Sequence, residues 1–246
     1  MIFAEVFGTI ILCRLGFHDC LKYTDGQGGC DGCLHFKPGK IDDVFDYHQM
    51  SFAKVDDEFI TNNNGLGHLA QVLEQVYTDP DYPNNGGNLK TPKMEVSLKA
   101  SGKSRADLWA LAAIVAVEFS IEINNLVCDA NGAWNGQCNS LHGQPECKVN
   151  LPRPIRFQTG RRDCEETGEH PYVAAKEEVH PNPWGSGQDT LDFYAENFDF
   201  NGRESIAIMG SHTIGRFHGQ ISLLPYVWIT NGERTFNNQY YRYARQ

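Results

Sequence analysis

Arg14 and His18 stand four residues apart in Arg14-Leu15-Gly16-Phe17-His18-Asp19-Cys20, so on a helix they share one face, with Phe17 beside them. A cation that keeps its proton, next to a base that titrates near neutrality, suits proton transfer with charge building up nearby. On an apolar helix the pair is costly unless it faces a cavity or a partner. Taken alone, a satisfied core histidine beside a surface arginine is the commoner arrangement. A second histidine lies in Met209-Gly210-Ser211-His212-Thr213-Ile214-Gly215, near the end of an apolar stretch, and alone it too reads as structural. Asn62-Asn63-Asn64-Gly65 offers either an amide that orients an imidazole or a helix cap or turn. Cys30-Asp31-Gly32-Cys33 is one C-x-x-C pair, but a zinc module built on it lacks a second pair at finger spacing.

The elements that must position these residues read as helices. Residues 4–21 form one long apolar helix running into the Gly-rich loop Asp25–Gly32. Leu66, Leu69, Leu73 and Val76 repeat at helical spacing over residues 65–77. A Pro- and Asn-rich loop follows at Pro80–Gly87, and Ser104-x-x-Asp107 then resembles a capping box before LWALAAIVAVEF. That helix is apolar nearly all round, which predicts a central, buried position. From Cys128 to Gly187 the composition turns to Gly, Pro, Asn and Cys, as in a long irregular connection. Helical patterns resume at Thr190–Asn197 and Arg203–Thr213, the latter stopping near Gly215, and an aromatic-rich segment follows from Leu223. With no βα alternation and no internal repeat, the chain reads as all-α, one domain over residues 1–246.

Thirty-one acidic against 21 basic side chains give a net charge of −10, which repels phosphate backbones and argues against nucleic acid as a partner. The longest apolar run, Leu108 to Val117, is too short to span a bilayer. Eight cysteines in two clusters of four suggest disulfides and an oxidising, extracellular compartment, with reduced buried thiols as the alternative. Spacing leaves their connectivity open among about 105 pairings. The N-terminal stretch lacks a basic leader and carries Glu5, so it reads as a buried helix rather than a signal peptide.

Five segments in order carry a family resemblance: the Arg14–Cys20 motif, Asn63-x-Gly65, Ser104-Arg105-Ala106-Asp107-Leu108, Gly160-Arg161-Arg162-Asp163, and Gly210-Ser211-His212-Thr213-Ile214-Gly215-Arg216. Together they resemble the haem peroxidase superfamily of plants, fungi and bacteria, from about residue 10 to the end, with a poor match in the middle loop. The resemblance implies an all-α fold with haem b sandwiched between distal and proximal helical halves. It implies His212 as ligand to the haem iron, and His18 as the base that moves a proton of hydrogen peroxide, with Asn63 fixing its tautomer. Arg14 would both contact the haem and stabilise charge during O–O cleavage, while Phe17 and Pro181 are further expected haem contacts. The partners implied are hydrogen peroxide and a small one-electron donor.

Branch features are mixed. Asp19-Cys20 and Cys30-Asp31-Gly32 resemble the secretory plant branch, where the first two motif cysteines bridge around a calcium loop. This implies calcium on Asp19, Asp31 and the Gly29 carbonyl, although Cys33 replaces the family's serine ligand. Trp228, sixteen residues after His212, matches the ascorbate and cytochrome c branches, where it could hold a radical; plain packing is the alternative. Ile221 stands where ascorbate peroxidases keep an arginine, and Phe7 and Ile11 where manganese peroxidases keep acids, so neither donor is implied. A helix before the distal one and a carboxylate beyond the tryptophan, both features of the family, have no counterpart in the 246 residues. The expected unit is therefore a peroxidase domain lacking those parts, either as a fragment of a longer chain or through loss of part of the catalytic equipment. The competing expectation is a non-catalytic extracellular structural or binding protein reusing the fold.

Overall fold

The apolar opening folds, as predicted, into one helix, α1, Ile2–Cys20. The computed structural model describes residues 2–34, 63, 66–82, 94–131, 149, 155–164, 179–182, 184–215, 228 and 238–244. The next helices are α2 (Gly67–Thr78), α3 (Arg105–Asn131), α4 (Gly187–Phe198) and α5 (Gly202–Met209). A 3-10 turn, Gly210–Thr213, continues α5, and α6 spans Gln239–Tyr243. Among the described residues there is no strand, only an isolated bridge between Lys22 and Gly28, so the fold is all-α. The chain divides into two compact units. One holds residues 14–113 and 157–179, the other residues 1–13, 114–156 and 180–246.

In the first unit, Leu15, Leu21, Tyr23, Leu34, Leu66, Leu73, Tyr77 and Trp109 form the buried apolar core. α1 crosses α3 at Gly16, where an added Cβ would lie 2.3 Å from that of Ala113, so only glycine permits this approach. The start of α3 is capped from afar. Arg105 N–H and Ala106 N–H donate to the Asp163 carboxylate at 3.0 and 2.9 Å, answering donors that a helix start leaves open. Ser104 Oγ accepts from Asp107 N–H as the capping pattern predicts, while the Asp107 carboxylate accepts from Gly160 N–H and from Arg161. The Arg105 guanidinium is buried, pairs with Glu74 at 2.7 Å and lies over the Tyr77 ring. Two of the five family segments thus hold one another, and their role is architectural.

Both disulfides of the described residues lie in this unit. Cys20–Cys30 closes the Gly-rich loop, and Cys33–Cys164 ties it to the 155–164 segment across 131 residues. A bridge over so long a loop typically contributes about 2–4 kcal/mol by restricting the unfolded chain. Because Cys30 and Cys33 are bound to different partners, the zinc reading of this C-x-x-C is overturned. Cys13, expected to pair, is a free thiol on α1 whose burial pushes its pKa to about 12, so little thiolate forms. Cys138 and Cys147 lie outside the described residues, as does the side chain of Cys128.

In the second unit, α4 begins at a full capping box of Ser186 and Asp189, and α5 at one of Asn201 and Glu204. Asp199 ends α4 in the left-handed region, and Tyr194, Phe193, Phe198 and Phe200 pack ring against ring beneath the turn. α3 departs from expectation twice. It runs through Asn131 rather than ending before Cys128, and it is not buried all round. Trp109, Ala110, Ala116 and Ile121 are covered, whereas Leu111, Val115, Phe119 and Leu126 are exposed. Leu111, Val115 and Phe119 repeat every fourth residue and so form one stripe on the open side of the helix.

Candidate functional site

His18 sits in the last turns of α1, buried to 6% exposure, with the Phe17 ring edge-on at 5.6 Å. Arg14, half-buried, lies one turn earlier on the same helix face. Asn63 is wholly buried, and its Oδ1 lies 2.9 Å from His18 Nδ1. An amide oxygen only accepts, so Nδ1 carries the proton and donates it to this bond. The lone pair is thereby placed on Nε2, the tautomer a base requires. Asn63 is positioned by the entry to α2: its main-chain carbonyl accepts from Leu66 N–H at 3.0 Å. The cap of α2 is Leu66, without a side-chain bond, and the Asn63 amide meets the imidazole. Asn64 and Gly65 lie outside the described residues.

Beyond His18 the chain enters the stapled loop. Asp19 is buried, and its Oδ1 accepts from Gly32 N–H at 2.8 Å and Cys33 N–H at 3.2 Å. Its Oδ2 is buried with no hydrogen-bond partner. Burial, then the neighbouring Asp31 carboxylate, pushes the Asp19 pKa up to about 8, with the main-chain donors opposing. Burial raises Asp31 as well, while its Oδ1 accepts from Cys33 N–H. Gly29, at φ +104°, donates its N–H to the Leu21 carbonyl at 2.7 Å and leaves its own carbonyl to the loop. A buried and a half-buried carboxylate side by side, one with an orphaned oxygen, are the kind of donor set that suits a hard cation. Cys33 adds no oxygen.

In the other unit His212 stands on the 3-10 turn rather than on a regular helix end. Gly210 allows this: a Cβ there would meet the Tyr241 hydroxyl oxygen at 2.0 Å. Gly215, at φ +85°, ends the turn as the pattern predicts. Burial pulls the His212 pKa down to about 4, opposed only by the Met209 carbonyl, so the imidazole is neutral at pH 7. Its Nδ1 is buried, and no described group meets it in hydrogen-bond geometry. The Trp228 ring lies 3.9 Å from the imidazole, centroid to centroid, tilted by 32°. Tyr240, on α6, flanks it at 5.6 Å.

A neutral, buried imidazole on a glycine-framed turn, with aromatic rings at its sides, is the form in which histidine binds a metal. The residues therefore fit a haem ligand. Pro181 is half-buried ahead of the Asn182–Gly185 turn that leads into α4. Sequence reasoning missed Tyr240 and Tyr241, although Tyr240-Tyr241-Arg242-Tyr243 was visible in an aromatic-rich tail. Ile221 lies outside the described residues.

The model of the family described as Peroxidase matches residues 88–246, more than half of the chain. The chain belongs to the peroxidase family. The matched residues include the peroxidase segments around Ser104, Gly160 and His212, whereas Arg14, His18 and Asn63 precede them. A curated relative, the "Putative heme-binding peroxidase" of Mycosarcoma maydis, is 28% identical over 145 residues. That alignment takes in 58% of this peroxidase chain and 33% of the relative, so the chain spans about a third of the relative's length. No described helix is long and apolar enough to cross a membrane.

Proposed function

We propose that this chain is a haem b peroxidase that reduces hydrogen peroxide and oxidises a small one-electron donor. The observation that carries the reading is the buried His18–Asn63 pair on a helix that also bears Arg14. It supplies a base of defined tautomer beside a permanent cation, beyond the family match itself. In this reading the haem, when bound, supplies the iron at which the O–O bond is cleaved, and His212 is its protein ligand. His18 Nε2 would accept a proton from one oxygen of the peroxide and return it to the other, which leaves as water. Asn63 holds the proton on Nδ1 throughout, keeping Nε2 basic. Arg14 stabilises negative charge as the O–O bond lengthens. Phe17 and Pro181 are assigned as apolar haem contacts, and Trp228 as a residue through which electrons return. The two disulfides support an oxidising compartment, hence secretion.

Calcium belongs to the same reading, on Asp19, Asp31 and the Gly29 carbonyl, supported by the orphaned Asp19 oxygen. Adding calcium chloride is expected to raise the melting temperature of the wild type and to leave Asp19→Asn unmoved. An equal shift in both would remove the cation from the loop.

A structural or binding protein is the second reading, favoured by one observation: His212 Nδ1 has no carboxylate partner among the described residues. Without a carboxylate on Nδ1 the imidazole would be a weaker donor to a bound haem iron. Peroxide-dependent oxidation of a phenolic donor by the haem-loaded chain separates the two, because a scaffold gives none.

A further inference from the structure

Among the described residues, the groups that meet His212 are uncharged. Its Nδ1 is buried without a hydrogen-bond partner. The acceptor that acts on it is the Met209 carbonyl, three positions earlier, a neutral dipole that stays outside hydrogen-bond geometry. The rings against it are Trp228 at 3.9 Å and Tyr240 at 5.6 Å. Burial raises the pKa of the Tyr240 phenol and that of Tyr194, so both keep their protons, and the Tyr194 hydroxyl donates to Met209 Sδ at 3.6 Å. Glu204, the carboxylate that most closely precedes His212 in the chain, is engaged at the head of α5, where it accepts from Asn201 N–H at 2.9 Å. The turn itself contributes Gly210 and Thr213, both buried and neither an anion.

An imidazole in such a setting favours the lower charge of an iron bound to it. A carboxylate on Nδ1 would draw the proton away and give the ligand imidazolate character, which stabilises the more positive ferric state; a carbonyl dipole does this weakly. Burial among uncharged rings acts in the same direction, because ferric haem carries one more positive charge than ferrous haem and a low dielectric penalises it. We propose that His212 is a neutral-imidazole ligand that stabilises ferrous haem, and that the chain in this state reversibly binds a neutral diatomic gas, carbon monoxide or dioxygen. This rests on the assignment of His212 to the haem in the reading above, and not on the peroxide chemistry. One electron is needed to reach the ferrous state. An enediol reductant such as ascorbate supplies it, becoming its own radical and releasing a proton to water. The gas then adds with no further transfer of electrons or protons.

The test uses the haem-loaded full chain under argon, without peroxide. Excess ascorbate followed by carbon monoxide is expected to shift the Soret band of most of the haem, and dithionite followed by carbon monoxide to shift all of it. Resonance Raman of the ferrous chain should place the iron–histidine stretch beside that of ferrous haem bound by 2-methylimidazole, below that of haem bound by the corresponding imidazolate. A shift under dithionite but none under ascorbate overturns the proposal and leaves the haem assignment standing. A stretch at the imidazolate frequency does the same. No shift with either reductant overturns the haem assignment and the proposal with it. Once carbon monoxide binds, dioxygen in its place separates the two gases: a lasting spectrum distinct from the ferric one adds dioxygen as a ligand, and immediate return to the ferric band confines the site to carbon monoxide.

Discussion

Replacing His18 by alanine is expected to slow peroxide reduction by about 10²- to 10⁴-fold, the range that a positioned general base supplies. Haem content should not change, because His18 is assigned to the peroxide and not to the iron. The effect follows from one proton's path. Peroxide must lose a proton to become a good ligand, and its distal oxygen must gain one to leave as water. Nε2 of a neutral imidazole does both, provided that Nδ1 keeps its own hydrogen, and the buried 2.9 Å contact with Asn63 Oδ1 enforces this. Asn63→Leu, which keeps the volume and removes the acceptor, should therefore lower the rate in the same direction by less. Stopped-flow absorbance under excess peroxide measures both variants. An unchanged rate constant in His18→Ala would sink the distal-base assignment, whatever the haem content.

His212→Ala should abolish stable haem binding, a loss of at least about a hundredfold in affinity, since outer partners of a metal ligand alone carry 10- to 100-fold. Added imidazole should restore part of the Soret band by entering the vacated position. The pH dependence has a definite sign. An ordinary histidine takes up a proton near pH 6.5, whereas burial holds His212 down at about 4. A lowered folded-state pKa contributes stability above the unfolded value, and this is lost as pH falls towards the folded one. Haem should accordingly remain bound at pH 5.5 and be released as pH falls through about 4. Release centred near pH 6.5 would mean that the imidazole is not held in this buried setting, and unchanged haem content in His212→Ala would move the ligand elsewhere.

Much of this was legible in the chain because the signals are local. The i, i+4 spacing of Arg14 and His18 fixes a shared face once the segment is helical, and the apolar opening makes it so. Gly215 marks the end of its turn because few other residues take a positive φ. The choice between cap and imidazole partner for Asn63 could not be made locally, since it depends on a residue 45 positions away. The Cys33–Cys164 bridge was hidden for the same reason, as a pairing across 131 residues leaves no trace in spacing. Asp107 and Asp163 were recognisable as parts of a pattern, but their shared task at the head of α3 appears only when Gly160–Asp163 folds back on it. Composition overstated the burial of α3, because an apolar periphery does not reveal that Leu111, Val115 and Phe119 share an uncovered stripe. The 3-10 turn at His212 depends on the Tyr241 hydroxyl against Gly210, a contact 31 residues distant that no pattern at the motif announces.

The most direct test of the central claim is the visible absorption spectrum of the haem-loaded chain, recorded as one equivalent of hydrogen peroxide and then a phenolic donor are added. A peroxidase gives a Soret band that shifts on peroxide and returns with the donor. A Soret band indifferent to peroxide, or no Soret band after reconstitution with haem, would contradict it.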